Sequence, residues 1–177
     1  MSLLSITEPD QAEGRLAEIY GECQAGIGFV PNAFRSLSPS PELLDQQWRH
    51  VRYYMQHPRL SAYLFTLIRL LVSERETCDY CINLNTAILI NECGLAPEQV
   101  TALRADPDSA PLKPAEKAML RFVLAATADP HAVSADDVQG LRDLGYTDGD
   151  ILDALNHGAR QVGLDILINA FKVKNDF

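Results

Sequence analysis

The stretch SERETCDYCINLNTAILINECG (73–94) decides how the rest of the chain is read. A polar break, Ser73–Thr77, separates two apolar runs, so a new helix is expected to start at about Thr77 or Cys78. Both cysteines of the Cys-Asp-Tyr-Cys motif then lie in its first turn. Cys78, Cys81 and Asn85 stand at i, i+3 and i+7, which is one face of a helix. A helix N-terminus offers unpaired N–H groups and partial positive charge, and so favours thiolate over thiol. A thiol of pKa about 8.5 is a few per cent ionised at neutral pH, and one lowered to about 7 is half ionised. The two sulfurs are also close enough to bridge, so a sulfenic acid on one is open to capture by the other as a disulfide. Zinc in a structural site takes four ligands and no second pair accompanies this one, so no metal and no cofactor is expected. A thioredoxin fold needs strands around the motif, and none are visible. The remaining bland alternative is a pair of cysteines that pack as small apolar residues. Cys23 and Cys93 are expected to be buried and inert.

Outward from this segment the chain reads as all-α. Sustained alternation of β-branched and polar residues is missing, whereas helix punctuation is dense. Pro9, Pro41, Pro97 and Pro114 each open a polar or amphipathic run, Ser40 stands where a cap would, and Ser134 with Asp137 and Thr147 with Asp150 pair a hydroxyl with an acid three residues on. Gly94 and Gly145 follow helical runs as left-handed terminators. Helices are predicted over 9–23, 41–56, 60–74, 78–93, 97–104, 114–128, 135–144 and 148–172, with 26–39 and 110–114 as connectors. LSAYLFTLIRLLVS (60–73) and ILDALNHGARQVGLDILINAF (151–171) are apolar nearly all round, which predicts burial in a bundle centre or a subunit interface. Asp136, Asp137, Asp148 and Asp150 fall at helix starts, where they complement the dipole as capping, solvated groups.

Composition narrows the function classes. The 177 residues are 47% hydrophobic and 22% charged, enough for one cored domain over 1–177, with N-terminal helices and a loop in 8–57, the cysteine-bearing helix pair in 58–95 and C-terminal helices in 96–177. Fifteen Lys and Arg against 24 Asp and Glu leave a net charge of −9, which argues against nucleic acid and against an anionic membrane surface. The longest runs without a charged residue, Cys23–Phe34 and Tyr80–Asn91, are 12 residues each, short of the roughly 20 that a spanning helix needs. The opening MSLLSITEPDQ lacks a basic region and a long apolar stretch, so the protein is expected in the reducing cytosol.

The apolar helix, the C-x-Y-C motif and the following helix ending in Gly resemble the alkylhydroperoxidase D (AhpD)-like branch of the carboxymuconolactone decarboxylase superfamily. GIGFVPNAFRSLSPSPELL (26–44) is similar to the N-terminal part of its peroxidase-related subgroup. LKPAEKAMLRFVLAATADPHAVSADDVQGLRDLGYTDGDILDAL (112–155) is similar to its second half, so that the likeness covers roughly residues 8–175. The resemblance implies an all-α single-domain helical bundle of about eight helices, oligomerising through apolar helices as homo-trimers or homo-hexamers. It implies reduction of hydroperoxides by the cysteine pair, with a thiol or lipoyl-type protein reductant closing the cycle. It assigns Cys81 as the peroxidatic cysteine and Cys78 as the resolving cysteine and proton donor, although helix-end proximity alone favours Cys78 as the more acidic thiol.

The family motif runs E-x11-C-x-H/Y-C-x3-H, its Glu and last His forming a proton relay. Here those positions hold Thr66 and Asn85, neither of which titrates near neutral pH, while Tyr80 stands between the cysteines as in other subgroup members. Loss of a positioned base costs about 10²–10⁴ in rate. Candidate substitutes are Glu74 and Glu76, just before the motif, and His157 on the apolar C-terminal helix; Arg69 would lower a thiol pKa by its charge, or pair with an acid across an interface. The expected function is therefore a thiol-dependent, alkylhydroperoxide reductase-like oxidoreductase weakened by loss of the relay. The alternatives are a non-catalytic oligomeric redox sensor or scaffold, and a lyase similar to the decarboxylase that names the superfamily.

Overall fold

A computed structural model describes residues 2–176. Its described residues form nine α-helices and three short 3-10 turns, with no strand. The helices are α1 (Gly14–Ile27), α2 (Asn32–Arg35), α3 (Pro41–Met55), α4 (Ala62–Arg75), α5 (Asp79–Asn91), α6 (Pro97–Ala105), α7 (Pro114–Ala128), α8 (Ala135–Asp143) and α9 (Asp148–Ala170). None is long and apolar enough to cross a membrane.

Much of the punctuation acts as its chemistry dictates. Pro41, Pro97 and Pro114 each sit in the first turn of a helix, where a missing N–H costs nothing. Ser134 and Asp137 form a reciprocal capping box, and the Thr147 hydroxyl accepts from the Asp150 amide while the Asp150 carboxylate accepts from the Thr147 amide. Gly94 and Gly145 adopt positive φ, +74° and +92°. Elsewhere the structure corrects the sequence reading. The helix expected over 9–23 is a 3-10 turn at Pro9–Gln11 followed by α1. The chain turns at Gly14 (φ +55°), and α1 runs on through Gly26 to a left-handed stop at Gly28. The expected connector over 26–39 thus loses its first residues to α1 and holds the one-turn α2. Ser40 makes no side-chain cap. Asp150 is buried rather than solvated, because the Arg59 Nε–H donates to both its oxygens at 2.8 and 3.1 Å. Cys93 is exposed, since it falls beyond the end of α5.

The helices fall into two compact units. The first runs to Gln56 and resumes at Leu167; the second spans His57–Ile166. In the first, Ile19 and Cys23 of α1, Phe34 of α2 and Leu44 and Trp48 of α3 share one apolar core. The Trp48 indole N–H donates to Glu22 at 2.7 Å, so its one polar atom is satisfied.

The second unit is built around α4. Leu64, Leu67, Ile68, Leu70 and Val72 are fully buried and meet α5 and α7, whose Leu89, Met119 and Val123 are equally covered. Each such side chain contributes about 1.5–3 kcal/mol relative to exposure. Helix α9 closes against this layer at Gly158. A Cβ there would come within 2.6 Å of Val123 Cγ1 and 3.1 Å of Thr127 Cγ2, so only glycine permits the approach. Gly158→Ala is therefore expected to lose about 1–2 kcal/mol net, overpacking outweighing the better helix propensity. In calorimetry that is a Tm lower by about 2–8 °C. A Tm equal to or above the parent's would contradict this packing.

Candidate active site

Every residue of the site lies in the second unit. The turn Arg75–Thr77 brings α4 round into α5, with Thr77 in the left-handed region (φ +51°) and the Cys78 amide bonded to the Ser73 carbonyl. Cys78 becomes the cap residue of α5 and Cys81 its third helical residue, one turn on. Both are buried, at 0% and 3% exposure, and all four cysteines are free thiols.

Opposite them stands a residue the sequence reading passed over. Asp165 of α9 is completely buried, and one of its carboxylate oxygens lies within 4.8 Å of both Cys78 Sγ and Cys81 Sγ, which are equally close to each other. Ser73 of α4 donates its hydroxyl to the Asp165 oxygens at 2.9 and 3.0 Å, and Gln161, one turn earlier on α9, donates at 2.8 Å. Gln161 also donates to Ser73 Oγ at 3.1 Å. The three ligand atoms also have the spacing of a metal-binding group.

The electrostatics invert the helix-end expectation. The Cys81 thiol is pushed well above the ordinary thiol range by its hydrogen bond with Cys78, then by burial, then by the neighbouring Asp165 charge. A helix terminus contributes about 0.3–1 kcal/mol, less than one pKa unit, while burial and a like charge shift a group by several. Asp165 is raised too: burial dominates, and the hydrogen bonds from Cys81, Gln161, Ser73 and Cys78 oppose it.

The two relay positions form a second cluster around Arg69. Its Nε donates to Asn85 Oδ1 at 2.7 Å, its Nη2 to Thr66 Oγ1 at 2.9 Å, and its Nη1 contacts His157 Nε2 at 3.2 Å. A guanidinium can only donate, so His157 accepts at Nε2 and is held as the neutral imidazole. Asn85 Nδ2 in turn donates to the Cys81 carbonyl at 2.8 Å, and Thr66 donates to the Ala62 carbonyl at 2.9 Å. Arg69 makes no ion pair with an acid among the described residues, and burial pushes its guanidinium down to about 10. Thr66, Arg69, Asn85 and His157 are thus brought together, with Asn85 reaching Cys81 through its backbone carbonyl. Glu74 pairs with Arg104 and Glu76 with Arg75 at 2.9 Å, and Tyr80 is buried. A surface groove of about 480 Å³ lined by His57, Arg59, Lys113, Glu116 and Tyr146 includes neither motif cysteine.

Solved structures share this architecture. A peroxidase-related protein from Silicibacter sp. TM1040 superposes with a TM-score of 0.84 over 98% of this chain and 91% of its own, at 23% identity. An alkylhydroperoxidase AhpD core protein from Ralstonia eutropha JMP134, also peroxidase-related, superposes with a TM-score of 0.82 over 99% of this chain and 92% of its own, at 25% identity. The chain has the AhpD-like fold. The debrominase Bmp8 shares that AhpD-like fold with a TM-score of 0.77 and 18% identity, over 98% of this chain and 92% of its own. A cysteine-to-alanine variant of Bmp8 is in complex with 2,3,4-tribromopyrrole. No protein-family model matches the sequence, and no curated protein does.

Proposed function

We propose that this protein is a dithiol oxidoreductase that reduces hydroperoxides with Cys81 and Cys78. The supporting observation is the arrangement of two free thiols and one carboxylate oxygen within 4.8 Å of one another at the start of α5. Cys81 takes the terminal peroxide oxygen and becomes a sulfenic acid, Cys78 condenses with it, and a thiol or lipoyl-type protein reductant restores both thiols. Catalysis is slow, because the raised Cys81 pKa leaves little thiolate at neutral pH and because both sulfurs are covered. The working assembly is a homo-trimer or homo-hexamer. Leu152 and Ile166 of α9, 68% and 59% exposed, support it as apolar surface suited to another copy.

Bmp8 supports a second reading within the same chemistry, in which the two thiols deliver their electrons to a carbon–bromine bond of an aromatic ring. Substrate choice separates the two. With dihydrolipoamide in excess, the expected result is steady-state consumption of an alkyl hydroperoxide. Consumption of tribromopyrrole instead would move the function to dehalogenation. No sustained consumption of either would leave the sensor or scaffold reading in place.

A further inference from the structure

Building on the dithiol reading above, we propose that Asp165 is the general base and acid of the cysteine chemistry, standing in from α9 for the Glu and His that a relay from α4 and α5 would use. Thr66 and Asn85 occupy those two positions, and both are tied to Arg69. His157 is committed to the same guanidinium. Asp165, by contrast, faces both sulfurs from the opposite helix and is held by Ser73 and Gln161 so that an oxygen stays on the thiol side.

The steps balance. The Cys81 S–H proton passes to the Asp165 carboxylate as the sulfur's electron pair forms an S–O bond with the terminal oxygen of the hydroperoxide. The O–O bond breaks, and the departing alkoxide takes the proton from Asp165 as an alcohol. Cys78 then gives its proton to Asp165 while its sulfur attacks Cys81; the S–O bond breaks and hydroxide leaves with that proton as water. Two thiols lose two electrons and become a disulfide, the hydroperoxide gains them as alcohol and water, and Asp165 returns to its starting state. A base whose pKa is raised toward neutrality by burial is stronger for this task than an exposed carboxylate.

The titratable and charged groups at the site are Cys78 and Cys81 at the start of α5 and, from α4, Arg69, whose charge interacts with Cys81; Ser73 and Gln161 are neutral. Opposite outcomes follow from the two roles Asp165 could have. If its charge only repels the Cys81 thiolate, Asp165→Asn lowers the thiol pKa and speeds oxidation at neutral pH. As the base, its loss slows oxidation while the thiol pKa still falls. The experiment follows disulfide formation by intact mass after one equivalent of alkyl hydroperoxide across a pH range, with thiolate titrated by ultraviolet absorbance in parallel. The expected result for Asp165→Asn is oxidation about 10²–10⁴-fold slower at neutral pH, converging on the parent rate in alkali where hydroxide replaces the base. An undiminished or faster rate overturns the assignment. Should circular dichroism show that variant unfolded, Ser73→Ala decides. Losing a donor that stabilises the carboxylate moves the acid limb of the parent's pH–rate profile to higher pH, and an unmoved limb overturns the assignment. If the parent protein itself forms no disulfide, the dithiol reading fails; if the parent oxidises and the variants match it, only the role of Asp165 fails.

Discussion

Cys81→Ser is expected to eliminate hydroperoxide-driven oxidation at the motif, with turnover falling on the order of 10³-fold or more to the background of ordinary thiols. Cys78→Ser should behave differently. Its Cys81 still accepts oxygen but has no resolving partner, so it accumulates as a sulfenic acid that dimedone captures and that excess oxidant carries on to sulfinic acid. The asymmetry comes from the polypeptide, since Cys81 sits a full turn inside α5 with its carbonyl held by Asn85, while Cys78 is the cap residue at the turn. Dimedone labelling followed by peptide mapping reads the difference. Label on Cys78 in Cys81→Ser, with none on Cys81 in Cys78→Ser, would reverse the two roles.

Arg69→Ala is expected to produce the largest change in stability. Three acceptors, Asn85 Oδ1, Thr66 Oγ1 and His157 Nε2, depend on one guanidinium. Each buried group left without its donor costs about 1–3 kcal/mol, and the apolar stem of the side chain is lost as well. Removing the charge returns part of this, because burial already disfavours the cation. The net expectation is about 2–4 kcal/mol, or a Tm lower by about 4–16 °C in a chain of this size. Arg69→Lys keeps the charge but cannot span three acceptors, and should fall between. A Tm for Arg69→Ala within a degree or so of the parent would contradict the cluster's role.

The helices were legible because their ends carry local chemistry. A proline at N1, a hydroxyl with an acid three residues later, and a glycine after the last turn act without knowledge of the rest of the fold, as at Pro114, Ser134 and Gly145. Gly26 misled for a tertiary reason: it reads as a breaker, yet a Cβ there would lie 3.0 Å from Trp48, so the residue is small because α1 and α3 approach closely. The cysteine pair was equally legible from spacing, and the altered relay positions from the motif of the family that the sequence resembles. Asp165 was not. On α9 the buried stripe runs through Ile151, Ala154, His157, Gly158, Gln161, Asp165 and Ile168, apolar at its ends and polar in its middle, while Leu152 and Ile166 face outward. Hydrophobicity alone picks out the ends of that stripe and passes over its polar middle, Asp165 included. The available signal was the four-residue spacing of His157, Gln161 and Asp165 within an otherwise apolar run, which marks a polar face with its own partners. The acidity expected of the motif failed at Cys81 for a related reason: a helix end is visible in sequence, but the hydrogen bond between Cys78 and Cys81, the burial of Cys81 and a carboxylate arriving from 84 residues farther along the chain are tertiary facts.

That Cys78 and Cys81 act as one two-electron couple is tested most directly by treating the fully reduced protein with one equivalent of an alkyl hydroperoxide and mapping its peptides without reductant. The expected result is loss of two hydrogens from the chain, a Cys78–Cys81 crosslink, and free thiols retained at buried Cys23 and at exposed Cys93. An unchanged mass, or oxidation confined to Cys93, would contradict it.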